Sequence, residues 1–287
     1  MPTYKTKAMV LKKTKLKEAD LILTLLAENG SQIRCVAKGA RKPGSRFSAR
    51  LEVFSVVDLL LYKGKNLDTI TEVECLETNE ACRTDIEKLS YGAVMAELVE
   101  KTALEGQEMP VLFPITKTAV AALGEADTRA LPFVTSAFLI KTLSFLGYKP
   151  SFDNCVICGN DRSELLSAAG ANGGADASAG ANAGADGAGA NGVFSYSAGG
   201  WVCPECASVG EIGKDDIADT LVVDWVRALL GMKFSEILKT FGPEGEDGVS
   251  GATNSLAGQL LTFCEHWMAV HLGLRLKSLG YLSRLRS

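Results

Sequence analysis

The chain has 287 residues, 47% of them hydrophobic, which is enough to bury one large core or two ordinary ones. No stretch approaches the roughly 18 continuous apolar residues of a membrane span, and no apolar segment follows the charged start as in a secretory signal. These features exclude a membrane-spanning protein and favour a cytoplasmic protein of two domains.

Charge is distributed unevenly along the sequence. The net charge is −4, but residues 1–50 contain twelve Lys and Arg against three acids, which gives that segment +9 and leaves −13 for the rest. A basic segment in an otherwise acidic chain is typical of a polyanion-binding face on one domain. For the dispersed lysines between Lys5 and Lys17, a solubilising surface is an equally good interpretation.

The first 80 residues have the pattern of a small antiparallel sheet. Apolar or alternating runs predict five strands, at Tyr4–Lys12, Leu21–Ala27, Gln32–Ala37, Val53–Tyr62 and Leu67–Glu74. Asn29-Gly30 predicts a type I′ hairpin between the second and third strands. Five short strands suit a closed barrel such as the OB-fold, and an SH3-like barrel fits the count almost as well.

The segment between the third and fourth strands is strongly basic. Residues 36–47 read VAKGARKPGSRF, with four cations, two glycines and a proline. In a loop of this kind, Lys38, Arg41, Lys42 and Arg46 can contact successive phosphates and release counterions, which gives affinity for nucleic acid without sequence preference. Three aromatic residues could stack bases, although the barrel core is the more ordinary place for them: Tyr4, Phe47 and Tyr62.

From about Arg83 the periodicity becomes helical. Apolar residues recur at helical spacing from Ile86 to Val99 and in four later segments, Phe113–Leu123, Leu131–Leu146, Leu221–Leu238 and Leu256–Leu274. Gly147, with Pro150 soon after it, predicts a helix end. The predicted organisation is a barrel at 1–80, an α-helical domain in two parts at 81–154 and 211–287, and a cysteine module at 155–210.

Two CxxC pairs, Cys155–Cys158 and Cys203–Cys206, predict a metal site. Four converging thiolates form a tetrahedron that zinc occupies most often. The pairs are 44 residues apart, but 168–192 is a run of 25 Ala, Gly, Asn, Asp and Ser residues that cannot build a core. Without it the gap is 19 residues, close to the usual ~15 to 20. Four thiolates leave no open position, so one structural zinc ion is expected, with redox or free thiols as the alternative.

Signals of catalysis are weak. His266 and His271 are five residues apart and do not share a helix face, so they do not form a metal pair. The sequence contains no phosphate-binding G-x-x-x-x-G-K-[ST] loop, and it lacks the H-x-E motif of zinc-dependent base deaminases. We therefore expect a protein that is not an enzyme.

The C-terminal segment is basic and apolar. After Glu265 the sequence contains no acid, and four cations accumulate among leucines, Arg275, Lys277, Arg284 and Arg286. Such a helix could bind the acidic, hydrophobic peptide tail of a partner protein. The alternative is a helix-dipole and solubility effect of cations near a C-terminus.

Several motifs, in this order, resemble the bacterial RecO family of recombination mediators. They are Val36–Pro43 with Ser45–Phe47, Ala96–Glu100, Leu146–Pro150 before Cys155 and Cys158, and His271–Gly273 with Leu276–Leu279. The resemblance covers nearly the whole chain. Two features depart from it: Gly44 stands where many family members carry another basic residue, and the Ala/Gly-rich insertion is unusual.

The resemblance implies an N-terminal OB-fold, a helical C-terminal domain and a zinc module. It also implies a nucleoid-associated protein that binds single- and double-stranded DNA, anneals complementary strands without ATP, works with RecR, and helps load RecA onto strands covered by single-strand-binding protein. The candidate DNA-contacting residues are Lys13, Lys15, Arg34, Lys38, Arg41, Lys42, Arg46 and Arg50. Two alternatives are an adaptor that binds proteins but not DNA, and a zinc enzyme acting on nucleic acid, which would need an open metal position.

Overall fold

The computed structural model describes residues 2–165, 192–210, 212–243 and 250–286. The chain divides into two compact units. The first contains Met1–Thr142, Lys233–Ser250 and Leu276–Ser287, and the second contains Leu143–Met232 and Gly251–Arg275. The first unit thus combines the barrel with helices from both predicted parts of the helical domain. The predicted domain boundaries remain a prediction.

The first unit begins with a closed five-stranded barrel. Its strands are β1 (Thr3–Leu16), β2 (Asp20–Ala27), β3 (Gln32–Ala37), β4 (Val56–Tyr62) and β5 (Asp68–Glu77). Their order around the barrel is β1-β2-β3-β5-β4. The first half of β1 pairs with β4 and its second half with β2, with an irregularity between Val10 and Lys12, so one long strand serves both neighbours. The predicted barrel is confirmed.

The barrel closes where β3 and β5 run parallel. This pairing spans only two residue pairs, Cys35 with Asp68 and Val36 with Thr69. The interior is filled by the alternate side chains of all five strands together with loop residues, including Val10, Leu23, Leu25, Val57, Leu59, Leu61 and Ile70. The period-2 pattern of the sequence therefore corresponds to the inward-facing positions.

The hairpin between β2 and β3 forms as predicted, but with a different turn. Gly30 has φ 81°, whereas Asn29 has no positive φ, and a type I′ turn requires both. The Ala27 amide instead donates to Ser31 across a three-residue loop that closes with Gly30 in the left-handed region. Glycine is required here for a second reason, because a Cβ would lie 1.8 Å from the carbonyl oxygen of Met109.

Nine helices have bounds in the described chain. They are α1 (Ala81–Thr84), α2 (Ile86–Thr102), α3 (Leu112–Glu125), α4 (Leu131–Phe145), α5 (Pro204–Val209), α6 (Thr220–Gly231), α7 (Phe234–Phe241), α8 (Ser250–Leu272) and α9 (Lys277–Arg286), with a 3₁₀ turn at Lys214–Asp216. None of these helices is both long enough and apolar enough to cross a membrane.

Helix ends explain where the predicted segments differ from the observed ones. The single predicted segment 221–238 is two helices, because Met232 and Lys233 leave helical geometry and the Glu236 carboxylate accepts the Lys233 amide in a new N-terminal cap. The helix end at Gly147 is confirmed, with φ 93° and the Tyr148 amide donating to the Leu143 carbonyl.

Helix α2 packs closely on the barrel within the first unit. The Gln32 side-chain amide donates to the carbonyls of Glu100 and Ala103 at the C-terminus of α2, where a helix leaves its last carbonyls without partners of its own. Gly92 lies against the ring of Phe54, where a Cβ would come within 2.7 Å of the ring. Helix α2 therefore packs directly against the barrel and the segment that leads into β4.

The second unit contains a small three-stranded sheet, β6 (Val193–Ser195), β7 (Gly200–Val202) and β8 (Ile217–Ala218), in the order β7-β6-β8. Phe194 packs against Phe263 and Trp267, with ring centroids 5.9 Å apart in both pairs. The Trp267 indole donates to the Tyr148 carbonyl. The predicted insertion at 168–192 lies, apart from Gly192, outside the described residues.

Candidate functional site

The basic loop between β3 and β4 is fixed to the barrel by its apolar residues. Ala40, Phe47 and Leu51 are 1–6% exposed and belong to the barrel core. Gly39, just before the first anchor, and Gly44, between Ala40 and Phe47, both have positive φ, 67° and 72°, and they turn the chain at these points. The basic residues of the loop remain exposed. Burial of its hydrophobic residues therefore holds the charged side chains at the surface.

The three arginines of this loop donate to backbone carbonyls. Arg41 donates to Lys17 and Glu18, at 3.3 and 2.8 Å. Arg46 donates to the Thr71 carbonyl at 2.8 Å and Arg50 to the Val73 carbonyl at 3.5 Å. Both carbonyls belong to the part of β5 that follows its short pairing with β3. The arginines therefore help to hold the loop along the barrel, and they retain their positive charge at an exposed surface.

The lysines of the predicted surface are arranged differently. Lys15, Lys38 and Lys42 are exposed, and in the part of the chain that the structure describes none of them forms an ion pair. Lys13 is half-buried and pairs with Glu52 at 2.7 Å, which offsets its charge. Lys15, Lys38 and Lys42 thus present their ammonium groups to solvent, and their role in binding DNA remains a prediction.

Arg34 lies on the other face of the sheet. The registers align Lys12, Thr24 and Arg34 in one row across β1, β2 and β3, and residues aligned in this way point to the same face. The next row contains the barrel-interior residue Cys35. Arg34 therefore faces away from the barrel interior, on the same side as Lys12, whose ammonium group pairs with Glu100 of α2.

The aromatic candidates are largely structural. Phe47 is 6% exposed and lies under the Arg46 guanidinium, 4.9 Å from the ring centroid. Tyr4 packs on the barrel core and donates its hydroxyl to Asp68, and burial together with this hydrogen bond raises the pKa of Tyr4. Tyr62, 37% exposed at the end of β4, is the one of the three whose ring is substantially accessible.

The four predicted cysteines form one cluster in the second unit. The Sγ atoms of Cys155, Cys158, Cys203 and Cys206 all lie within 4.8 Å of one another, and those of Cys158 and Cys203 are 3.7 Å apart. Tetrahedral Zn–S bonds of about 2.3 Å place sulfurs about 3.8 Å apart. The cluster therefore offers a zinc ion four sulfur ligands at the spacing that tetrahedral coordination requires.

Backbone amides support this cluster. Burial alone would raise the pKa of Cys155, but N–H groups of Cys158, Cys203 and Ile157 point to its sulfur and lower the pKa to about 6. The Cys203 sulfur accepts from the amide of Cys206 at 3.5 Å, in the first turn of α5. Amides directed at sulfur stabilise thiolates, which are the form that binds metal.

The predicted partner-binding cations do not lie in one structural unit. Arg275 belongs to the second unit, and Lys277 and Arg284 belong to the first. The side chain of Arg286 lies outside the described residues. The role of these four residues remains a prediction.

Helix α9 is docked within the first unit through its apolar face. Leu276 at its start and Leu279 and Leu282 within it are 2–3% exposed. The Glu97 carboxylate of α2 caps α9, accepting from the amides of Lys277 and Ser278 and from the Ser278 hydroxyl. These three leucines are thus covered within the chain itself, whereas Tyr281 on the same helix is 61% exposed.

Sequence reasoning missed the acids that organise these surfaces. Asp20 accepts the amide of Gly39 at 2.7 Å, Glu52 pairs with Lys13, and Glu97 caps α9. Each pair is separated by between 19 and 181 residues in the chain, so no local pattern could have indicated it.

These features define the class of protein: an OB-like barrel bearing a cationic loop, with helices and a four-cysteine cluster of metal-binding geometry. Residues 1–79 match the family described as Recombination protein O N terminal, and residues 83–191 match Recombination protein O C terminal.

Curated relatives extend the similarity over the whole chain. The DNA repair protein RecO of Nocardioides sp. (strain ATCC BAA-499 / JS614) is 31% identical over 282 residues, which cover 98% of this chain and 99% of the relative. The protein of the same name from Frankia casuarinae (strain DSM 45818 / CECT 9043 / HFP020203 / CcI3) is 34% identical over 80% of this chain and 86% of its own length. The chain belongs to the RecO family.

Proposed function

We propose that this protein is a DNA-binding recombination mediator in DNA repair that anneals complementary strands without ATP. The observation that carries the proposal is the cationic loop, fixed on the barrel by buried residues and by arginine contacts to carbonyls. The names of the relatives, DNA repair protein RecO, support the same assignment.

The physical basis of binding is neutralisation of phosphates. Each phosphate contact by a lysine or arginine releases condensed counterions, so affinity falls with salt by a slope of about 0.9 per contact on duplex and about 0.7 on single strands. Contacts to the backbone carry no sequence information. Lys15, Lys38, Lys42 and the anchored arginines supply such contacts, and Tyr62 is placed to stack a base.

Annealing follows from the same surface. A surface that neutralises two phosphate backbones lowers their mutual repulsion, and base pairing then supplies the driving force. No nucleophile, general base or nucleotide hydrolysis is needed. We propose that the protein acts with RecR to load RecA onto DNA coated by single-strand-binding protein, in the cytoplasm at the nucleoid, as the resemblance to the RecO family implies.

We propose a structural role for the cysteine cluster. When bound, a zinc ion would be held by Cys155, Cys158, Cys203 and Cys206 and would cross-link two segments of the second unit. Four thiolates complete the tetrahedron and leave no position for a substrate. This distinguishes the proposal from a zinc enzyme, in which replacing one cysteine would abolish turnover and not only stability.

The test is a salt titration of DNA binding by fluorescence anisotropy. The double variant Lys38→Ala/Lys42→Ala should bind single strands more weakly and lower the salt slope by about 1.4, two contacts' worth. The control Lys149→Ala/Lys239→Ala removes the same charge at exposed positions outside the loop and should change little. An adaptor that binds only proteins predicts no steep salt dependence for the wild type, and that result would refute the proposal.

A further inference from the structure

The turn between β1 and β2 is hydrogen-bonded to the start of the basic loop. The Asp20 carboxylate accepts the Gly39 amide at 2.7 Å, and the Arg41 amide donates to the Ala19 carbonyl at 2.9 Å. The Arg41 guanidinium adds its contacts to the carbonyls of Lys17 and Glu18. These four contacts, the turn–loop hydrogen bonds, join two segments that are about 20 residues apart in the sequence.

This connection brings a further cation to the loop. Lys17 is exposed, lies in the left-handed region with φ 57°, and within the described residues forms no ion pair. Its carbonyl is one of those that Arg41 holds, so its backbone position is tied to the loop. Leu21 of β2 pairs with Lys15 of β1 on one side and with Ala37 of β3 on the other. Two strand spacings therefore separate Lys15 from Ala37, about 10 Å, and Lys38 follows Ala37 directly.

The turn and the first residue of β2 carry two acids with different surroundings, Glu18 and Asp20. The Asp20 carboxylate is half-buried and engaged with Gly39. The Glu18 carboxylate is exposed and, in the part of the chain that the structure describes, makes no hydrogen bond or ion pair. By charge alone either acid would repel phosphate, so removal of either should strengthen DNA binding. A positioning role for Asp20 reverses that expectation.

We propose that the β1–β2 turn is the second half of the DNA-binding surface, with Lys17 as a phosphate contact and with Asp20 and Arg41 as positioning residues. The inference rests on the proposed function, because it concerns how that site is built. The turn–loop hydrogen bonds hold Lys15, Lys17, Lys38 and Lys42 as one surface that can follow a backbone over several phosphates. Without them the cations remain, but their spacing is no longer fixed.

The test compares three variants that each remove one negative charge. Asp20→Ala loses the acceptor for Gly39, Asp20→Asn retains an oxygen that can accept the amide, and Glu18→Ala is the charge control. We expect Asp20→Asn and Glu18→Ala to bind single-stranded DNA at least as tightly as wild type. Asp20→Ala should bind about fivefold more weakly than Asp20→Asn, the value of one hydrogen bond between neutral groups.

Two further variants separate positioning from charge. Arg41→Lys keeps the charge but removes the planar guanidinium whose Nη1 donates to both carbonyls, and it should weaken binding with an unchanged salt slope. Lys17→Asn suits the left-handed backbone and should lower the slope by about 0.7. Should Asp20→Ala fail to fold, as judged by circular dichroism, Arg41→Lys provides the same comparison.

The outcomes are distinguishable. If Asp20→Ala binds as tightly as Asp20→Asn, or Arg41→Lys as tightly as wild type, the positioning role is wrong. If Lys17→Asn leaves the slope unchanged, Lys17 makes no phosphate contact. If the wild type itself does not bind DNA, the proposed function fails and not merely this extension of it.

Discussion

The cap on the last helix gives a prediction whose size follows from the structure. Glu97, with a side chain 15% exposed, accepts from the amides of Lys277 at 3.0 Å and Ser278 at 2.8 Å and from the Ser278 hydroxyl at 2.5 Å. A helix N-cap contributes about 1 kcal/mol and a hydrogen bond to a charged group about 1.5 to 3 kcal/mol. We therefore expect Glu97→Ala to destabilise the docking of α9 by about 2 to 3 kcal/mol.

The control is on the same helix. Glu100→Ala removes an equal charge, but Glu100 takes part in a largely exposed pair with Lys12, so its loss should cost less than about 1 kcal/mol. Amide hydrogen exchange over residues 277–284 measures the opening of α9 in each variant. Equal exchange in the two variants would refute the cap as the main anchor of α9.

The same carboxylate predicts a pH dependence. Burial alone would raise the pKa of Glu97, but hydrogen bonds from Ser278 and Lys277 and the contact with Lys101 outweigh it and hold the pKa below its ordinary 4.5. A carboxylate whose pKa is lower in the folded than in the unfolded protein stabilises the fold fully at pH values above its unfolded-state pKa. That stabilisation is lost as the pH falls through its folded-state pKa. Protection of α9 should therefore fall below about pH 4.5 in the wild type and not in Glu97→Gln.

Three further predictions concern the metal, the loop and the core. Purified protein should contain one zinc per chain by metal analysis, and Cys203→Ser or a chelator should lower the melting temperature; absence of metal would contradict this. Gly44→Lys should steepen the salt slope of DNA binding by about 0.7. It should also lower the free energy of unfolding by about 1 to 2 kcal/mol, because φ is 72°, although no atom lies within 4 Å of the added Cβ. An unchanged slope would mean that residue 44 does not contact DNA. Gly92→Ala should destabilise the protein by about 1 to 3 kcal/mol, because the added methyl group would meet the Phe54 ring. Gly258→Ala, where the added methyl group meets no atom, should stabilise it by up to about 1 kcal/mol. Urea unfolding measures both changes, and equal effects would contradict the packing at Gly92.

Features with a local cause could be predicted from the sequence. Alternation located the five strands because inward positions recur every second residue, and two CxxC pairs identified the cysteine cluster because each turn places two sulfurs together. The basic loop was visible from composition alone.

Features with a distant cause could not be predicted. The carbonyls that Arg46 and Arg50 bind lie more than 20 residues away, on a strand whose edge is unpaired only because β3 is short. Arg34 is among the DNA-contacting candidates, and the register that aligns it with Thr24 and Lys12, which places it away from the barrel interior, is fixed by pairing between strands. The turn at Gly30 is a three-residue loop in which the Met109 carbonyl leaves no room for a side chain, and the dipeptide Asn-Gly specifies neither feature.

Strand annealing by the purified protein is the decisive measurement of the proposed function. Two complementary fluorescent oligonucleotides are mixed without ATP, bare or coated with single-strand-binding protein, and duplex formation is followed over time. We expect the wild type to accelerate annealing well above the spontaneous rate. Lys38→Ala/Lys42→Ala should lose much of that acceleration, and Lys149→Ala/Lys239→Ala should retain it. Annealing by the wild type at the spontaneous rate, or equal acceleration by both double variants, would contradict it.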